Sequence, residues 1–402
     1  MKRIIATMLC AAMLTLMLAG CSGDEGDLFE YFDERLQSGE TDAPPGMEDA
    51  EGAGGTEGAD STADSLMDIE SDLEALFAAF SPDTVMLDIS GFDVTWGELF
   101  FYMNSHINGL RSNIEGPVDW SEVQYDDVTY ADLVLMYSLD NALMYKSFEY
   151  GARLNGISLN DEHLALVQSD FEQMAAMYGG EEMLLQLLWL ESGCYSKELL
   201  DYFLETGFLA NLLFAELYGD AGEKVSDEDV MEFIGDEEFL MAMHILRLKP
   251  EEGEEDTALA EAEEILSLLN DYDGDDFKGF FAGLMYEHSQ DEGGLVQFPG
   301  GYLFQYGDMV QPFYTACTEL EIGEFSGIVE TEYGYHILLR LPIDFDATPQ
   351  SFMMYGDYRS LRIFVAESFF DEVLAEWRDS LVVTHSAAYD SMDLASLLEM
   401  LG

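Results

Sequence analysis

Six histidines are the first residues to test for chemistry, and two of them stand apart. His244 lies in Met243-His244-Ile245-Leu246-Arg247-Leu248 and His336 in Tyr335-His336-Ile337-Leu338, each inside an apolar run with the composition of a strand. A neutral imidazole carries one donor and one acceptor nitrogen, so a partner hydroxyl fixes its tautomer. Taken alone, a histidine in a strand is more often a satisfied structural residue than a working one. His106, His163, His288 and His385 show no metal-ligand spacing. The acidic run Asp271 to Asp276 hints at a calcium loop, but its Gly274 is misplaced and the twelfth position is Ala282, so it reads as an acidic turn. No G-x-S-x-G motif is present, and hydrolase chemistry has no support. Met309 and Phe313, four positions apart, predict one apolar helix face, which could equally well fill a core.

The elements that must position these side chains sit in a 402-residue chain, a length that suggests two or three compact units. With 82 Asp+Glu against 15 Lys+Arg the formal charge is −67, yet 48% of residues are hydrophobic, so acidity does not imply general disorder. It does exclude nucleic acid as a partner, because binding a polyanion takes clustered Lys and Arg, and the basic residues here are scattered. Attachment to anionic lipid through a polybasic patch fails for the same reason.

Residues 1–20 read as an export signal: Lys2 and Arg3, an apolar run from Ile4 to Leu18, then Leu18-Ala19-Gly20-Cys21. The last four resemble the lipobox of bacterial lipoproteins, which makes Cys21 the lipidation site. An uncleaved anchor competes, since Ile4 to Gly23 is just long enough to span a bilayer; the small residues before Cys21 favour the lipoprotein. Residues 21–65 are acidic and Gly-rich and read as an extended linker. Cys194 and Cys317 form no framework pattern and read as two buried thiols rather than a disulfide.

Helical periodicity begins at Leu66 and, after a hairpin over 85–94, returns at about 129–151, 160–178, 181–191 and 196–218. Thr95-Trp96-Gly97-Glu98 reads as a capping box. Residues 66–235 are therefore expected to be a helical domain. From about 239 the period becomes that of strands around helices, which gives a small α+β unit over 236–343. A C-terminal helical segment, 344–402, closes the chain with a long helix from Pro349 to Trp377.

The unit at 236–343 resembles the parvulin family of peptidyl-prolyl isomerases. An ordered set of motifs carries the resemblance: His244-Ile245-Leu246, Asp276-Phe277, Ser289-Gln290-Asp291, Gly307-Asp308-Met309-Val310-Gln311-Pro312-Phe313, Leu320 to Ser326, and Thr331-Glu332-Tyr333-Gly334-Tyr335-His336-Ile337. With the lipobox and flanking helical regions, the chain resembles exported foldase lipoproteins of the PrsA and SurA type. The implied fold class is α+β: a helical chaperone-like region, an inserted parvulin-like domain, and a C-terminal segment returning to the first.

The resemblance implies cis–trans isomerisation of X–Pro bonds in unfolded exported chains, on the outer face of the cytoplasmic membrane or, with two membranes, at the outer one. It implies His244, His336, Thr331 and Asp291 as the catalytic set, and Leu303, Met309 and Phe313 as the floor of the proline pocket. No nucleophile, metal or cofactor is required. Rotation about an amide meets a barrier of ~18–20 kcal/mol, while the two X–Pro isomers differ by only ~0.5–1 kcal/mol. One departure stands out. The family's Gly-Gly-Asp-Leu-Gly is here Gly300-Gly301-Tyr302-Leu303-Phe304, with Tyr in place of Asp. That change keeps open a holdase chaperone that has retained the fold without the catalysis.

Overall fold

The computed structural model describes residues 73–401, apart from 115, 236–238, 251–256 and 355. The export signal, Cys21, the linker and the helical start at Leu66 lie outside the described residues. The chain forms two compact units: one comprises residues up to 214 together with 372–402, and the other is residues 215–371, inserted between them.

In the first unit a tight hairpin, β1 (Val85–Ile89) and β2 (Phe92–Thr95), leads into α1 (Trp96–Asn113), with the Thr95 side chain capping the amide of Glu98. A short hairpin, β3 (Val123–Tyr125) and β4 (Val128–Thr129), then opens into α2 (Tyr130–Asn155) through a full Thr129–Asp132 capping box. Next come α3 (Asp161–Met177), α4 (Glu181–Ser192) and α5 (Lys197–Tyr218), the last crossing the unit boundary. Apolar residues at helical spacing, among them Phe100, Val134, Phe171, Leu188 and Phe203, meet in one core.

The second unit opens with α6 (Asp227–Ile234), started by a Ser226–Asp229 capping box. Around the sheet run β5 (Leu240–Leu248), α7 (Ala258–Asn270), α8 (Phe277–His288), α9 (Glu292–Gln297), β6 (Tyr302–Phe304), α10 (Gln311–Thr318), β7 (Val329–Glu330) and β8 (Gly334–Leu341). The sheet is antiparallel, in the order β6-β5-β8-β7. Strand residues alternate between faces. Leu240, Ala242 and Leu338 therefore share one face with Phe313 and Cys317 of α10. The buried alternates Met241, Met243, Ile245, Ile337 and Leu339 are left to receive α7 and α8, which also pack on β5 and β8. The fold is α+β, as expected.

The segment 344–402, expected to return as one piece, is divided. Its first part, with α11 (Gln350–Met354) and the start of α12 (Leu361–Ser380), belongs to the second unit. There Arg362 pairs with Asp227 and the rings of Phe364 and Phe369 meet Phe233. Residues from 372 onward belong to the first unit, where β9 (Val383–His385) pairs with β1. It is followed by α13 (Ala387–Asp390) and α14 (Leu394–Leu398). The single helix expected from Pro349 to Trp377 is two helices broken between 354 and 361. Cys194 and Cys317 are buried free thiols. Among the described residues no helix is long and apolar enough to cross a membrane.

Candidate active site

The register of β5 against β8 decides where the two histidines meet. His244 faces Leu338 and Leu246 faces His336, so the histidines are diagonal neighbours on one face of the sheet. Their rings meet edge to edge, with centres 5.3 Å apart, 14° between planes and the two Nδ1 atoms 3.1 Å apart. Both are buried, at 8% and 4% exposure. Such a contact requires one Nδ1 to carry a proton and the other to accept it.

The outer nitrogens settle which. His244 Nε2 lies 2.7 Å from Asp291 Oδ2, and a carboxylate only accepts, so His244 carries a proton on Nε2; as a neutral ring it leaves Nδ1 bare. His336 then donates from Nδ1, and its Nε2 accepts from the Thr331 hydroxyl at 2.8 Å. Thr331 Oγ1 in turn accepts from the amide of Tyr333 at 3.2 Å. A one-way relay thus runs Thr331, His336, His244, Asp291. Asp291 caps the first turn of α9, accepting the amide of Gly294 on Oδ1 at 3.0 Å, and accepts the Tyr302 hydroxyl on Oδ2 at 2.6 Å.

The hydrogen bond from His244 holds the Asp291 carboxyl well below the usual range against the opposing pull of burial, with help from Tyr302 and Gly294. Three donors converge on its charge. Burial, reinforced by the neighbouring His244, lowers His336 to about 4. Burial and the Asp291 carboxylate push the Tyr302 phenol up.

Phe313 meets both imidazoles edge-on, with ring centres 5.3 Å from His244 and 5.6 Å from His336. Met309 is half-buried and packs on the same cluster. It is not on the helix, however: α10 begins at Gln311 with Val310 as its cap, so the two residues converge across a helix start rather than along one face. Leu303 is a second correction. It is fully buried opposite Met241, on the far side of β6, whereas Tyr302 and Phe304 face Phe313. Alternation along a strand puts Leu303 away from the histidines. Tyr302 takes the place beside them, 5.5 Å from His244 ring to ring, a position the sequence marked only as a departure. A cavity of about 10 Å³ beside His244, Asp291 and Tyr302 has room for one water, not for a proline ring.

Residues 244–341 match the family described as Rotamase, PPIC-type PPIASE domain. Among solved structures, the chain is similar to the peptidylprolyl isomerase PrsA of Bacillus anthracis, with 19% identity, 60% of this chain and 96% of that one covered, and a TM-score of 0.23. PrsA of Bacillus subtilis gives 20% identity, 69% and 94% coverage, and a TM-score of 0.25. A match from a study of two SurA-like chaperones of Campylobacter jejuni, PEB4 and Cj1289, gives 21%, 60%, 94% and 0.23. At these TM-scores the likeness carries no conclusion of its own. No curated protein matches the chain.

Proposed function

We propose that the chain is a peptidyl-prolyl cis–trans isomerase and foldase for exported proteins. The observation that carries this reading is the directed relay from Thr331 through His336 and His244 to Asp291, lying against Phe313. As an X–Pro bond twists, its carbonyl loses conjugation and the prolyl nitrogen becomes pyramidal. A site that grips the ring on an apolar surface and offers oriented dipoles favours that twisted geometry over either planar isomer. Phe313 and Met309 supply the apolar surface, and the relay supplies dipoles fixed before the substrate arrives. A bare carboxylate would repel the substrate carbonyl; the three donors on Asp291 offset that charge. The first unit holds unfolded segments, and Cys21 carries lipid that tethers the chain to the outer face of the cytoplasmic membrane. The test of catalysis is a protease-coupled proline-peptide assay with the full chain. Isomerisation well above the uncatalysed rate, lowered by Met309→Ala, is expected, and a background rate contradicts the reading. Replacing Cys21 by Ser abolishes incorporation of labelled palmitate if the tether is lipid.

One observation favours a second reading, a holdase without catalysis. Tyr302 stands where the family has Asp, and its hydroxyl is bonded to the Asp291 carboxylate. That reading expects suppression of client aggregation, unchanged by His244→Ala, with no isomerisation.

A further inference from the structure

Two glycines bring Tyr302 to Asp291, and each is needed for a different reason. Gly301, at φ +105°, is in the left-handed region, and a Cβ there would stand 2.8 Å from the carbonyl oxygen of Ala242. Only glycine lets β6 start that close to β5. At Gly294 a Cβ would overlap both the Tyr302 hydroxyl and Asp291 Oδ2. The ring of Phe298, 4.4 Å away, flanks the phenol. The result is a hydroxyl placed on the same carboxylate oxygen that His244 uses.

We propose that Tyr302 is a positioning residue: its hydroxyl, by pinning Asp291 Oδ2 against His244 Nε2, sets the tautomers of both histidines and so the direction of the whole relay. The two facing Nδ1 atoms admit two proton arrangements, mirror images in direction. Only a carboxylate held at His244 selects one of them. Were Asp291 to turn away, His244 could carry its proton on Nδ1 instead, and His336 would have to take the other tautomer and accept there. Gly294 fixes one carboxylate oxygen and Tyr302 fixes the other. An Asp at 302, as in the family's Gly-Gly-Asp-Leu-Gly, has no hydroxyl to donate when ionised and would repel Asp291. The Tyr therefore changes the position from an acceptor to a donor. For its effect on rate this inference rests on the isomerase reading; for its effect on the tautomers it does not.

The experiment is imidazole ¹⁵N NMR of the full chain, wild type and Tyr302→Phe, with peptide isomerisation measured on the same samples. The wild type is expected to show His244 protonated at Nε2 and His336 at Nδ1. In Tyr302→Phe both rings become mixtures of tautomers, and kcat for the peptide falls about tenfold with KM little changed, the size of a lost hydrogen bond to a charged group. Unmixed tautomers in a folded Tyr302→Phe chain overturn the inference. So does a wild-type His244 protonated at Nδ1, a readout that stands even if the variant does not fold. If the wild type gives only a background rate while the variant mixes tautomers, the isomerase reading falls and the positioning role of Tyr302 is supported.

Discussion

Each unit contains a buried hydrogen-bonded network, and the two are built on opposite principles. In the first unit Lys146 is 3% exposed and spends its donors on Glu98 at 3.1 Å, Glu149 at 3.0 Å and the Tyr202 hydroxyl at 2.7 Å. Tyr102 adds a bond to Glu98, and Tyr202 one to Glu149. Burial pushes Glu98 up while Lys146 pulls it down, so the carboxylate depends on its cation. The network of the second unit has two imidazoles in its buried part and its carboxylate, Asp291, at the half-buried rim. A network of buried ions ties helices together and breaks at a cost in stability. The relay of imidazoles can be altered with less loss of stability, and its alteration is read in rate.

That contrast breaks most easily at Lys146. Lys146→Met leaves Glu98 buried without its cation and should cost about 3–5 kcal/mol in chemical denaturation of the first unit, while isomerisation per folded molecule stays the same. A loss below 1 kcal/mol would mean that the ions contribute little. The next effect is pH-dependent. His336 has a folded pKa of about 4 against an ordinary 6.5, so below pH 6.5 the unfolded chain takes up a proton that the folded one refuses. Stability from this group is full above 6.5 and falls until about pH 4, by about 3 kcal/mol at full extent. Since many carboxylates titrate in the same range, the measurement is the difference between wild type and His336→Gln in urea melts at pH 7 and 4.5. The variant should lack this part of the slope. His244→Ala should lower kcat/KM about a hundredfold, the scale of removing one oriented donor, measured at equal folded concentration because the truncation also leaves His336 Nδ1 and Asp291 without their partner. Smallest is Thr331→Val. It leaves His336 Nε2 without its donor and should cost about 1–2 kcal/mol of stability in the second unit.

The helices were legible because their apolar spacing is long and regular: the expectation of 196–218 became Lys197–Tyr218. The pairing of His244 with His336 was legible through the ordered motifs between them. What failed were features set by one-residue register. Leu303 was expected at the pocket, but a three-residue strand gives no periodicity from which to read its face. Met309 was placed on a helix that Pro312, within its first two positions, starts later. Glu98 was expected to complete a capping box at Thr95 and instead turns inward to Lys146 and Tyr102. Nothing in the sequence marked Lys146, since a lone lysine in a helix normally reads as a solvated one. β9 escaped because three residues between helices carry too short a pattern, and its partner lies at the other end of the chain.

The central claim is that the two hydrogen-bonded imidazoles between Thr331 and Asp291 speed rotation about X–Pro bonds. Exchange NMR measures that rotation directly, as magnetisation passing between the cis and trans signals of a proline peptide in the presence of substoichiometric chain. The account expects exchange cross-peaks with wild type that are nearly lost with His244→Ala at equal folded concentration. Equal exchange from both, or none above the peptide alone, would contradict it.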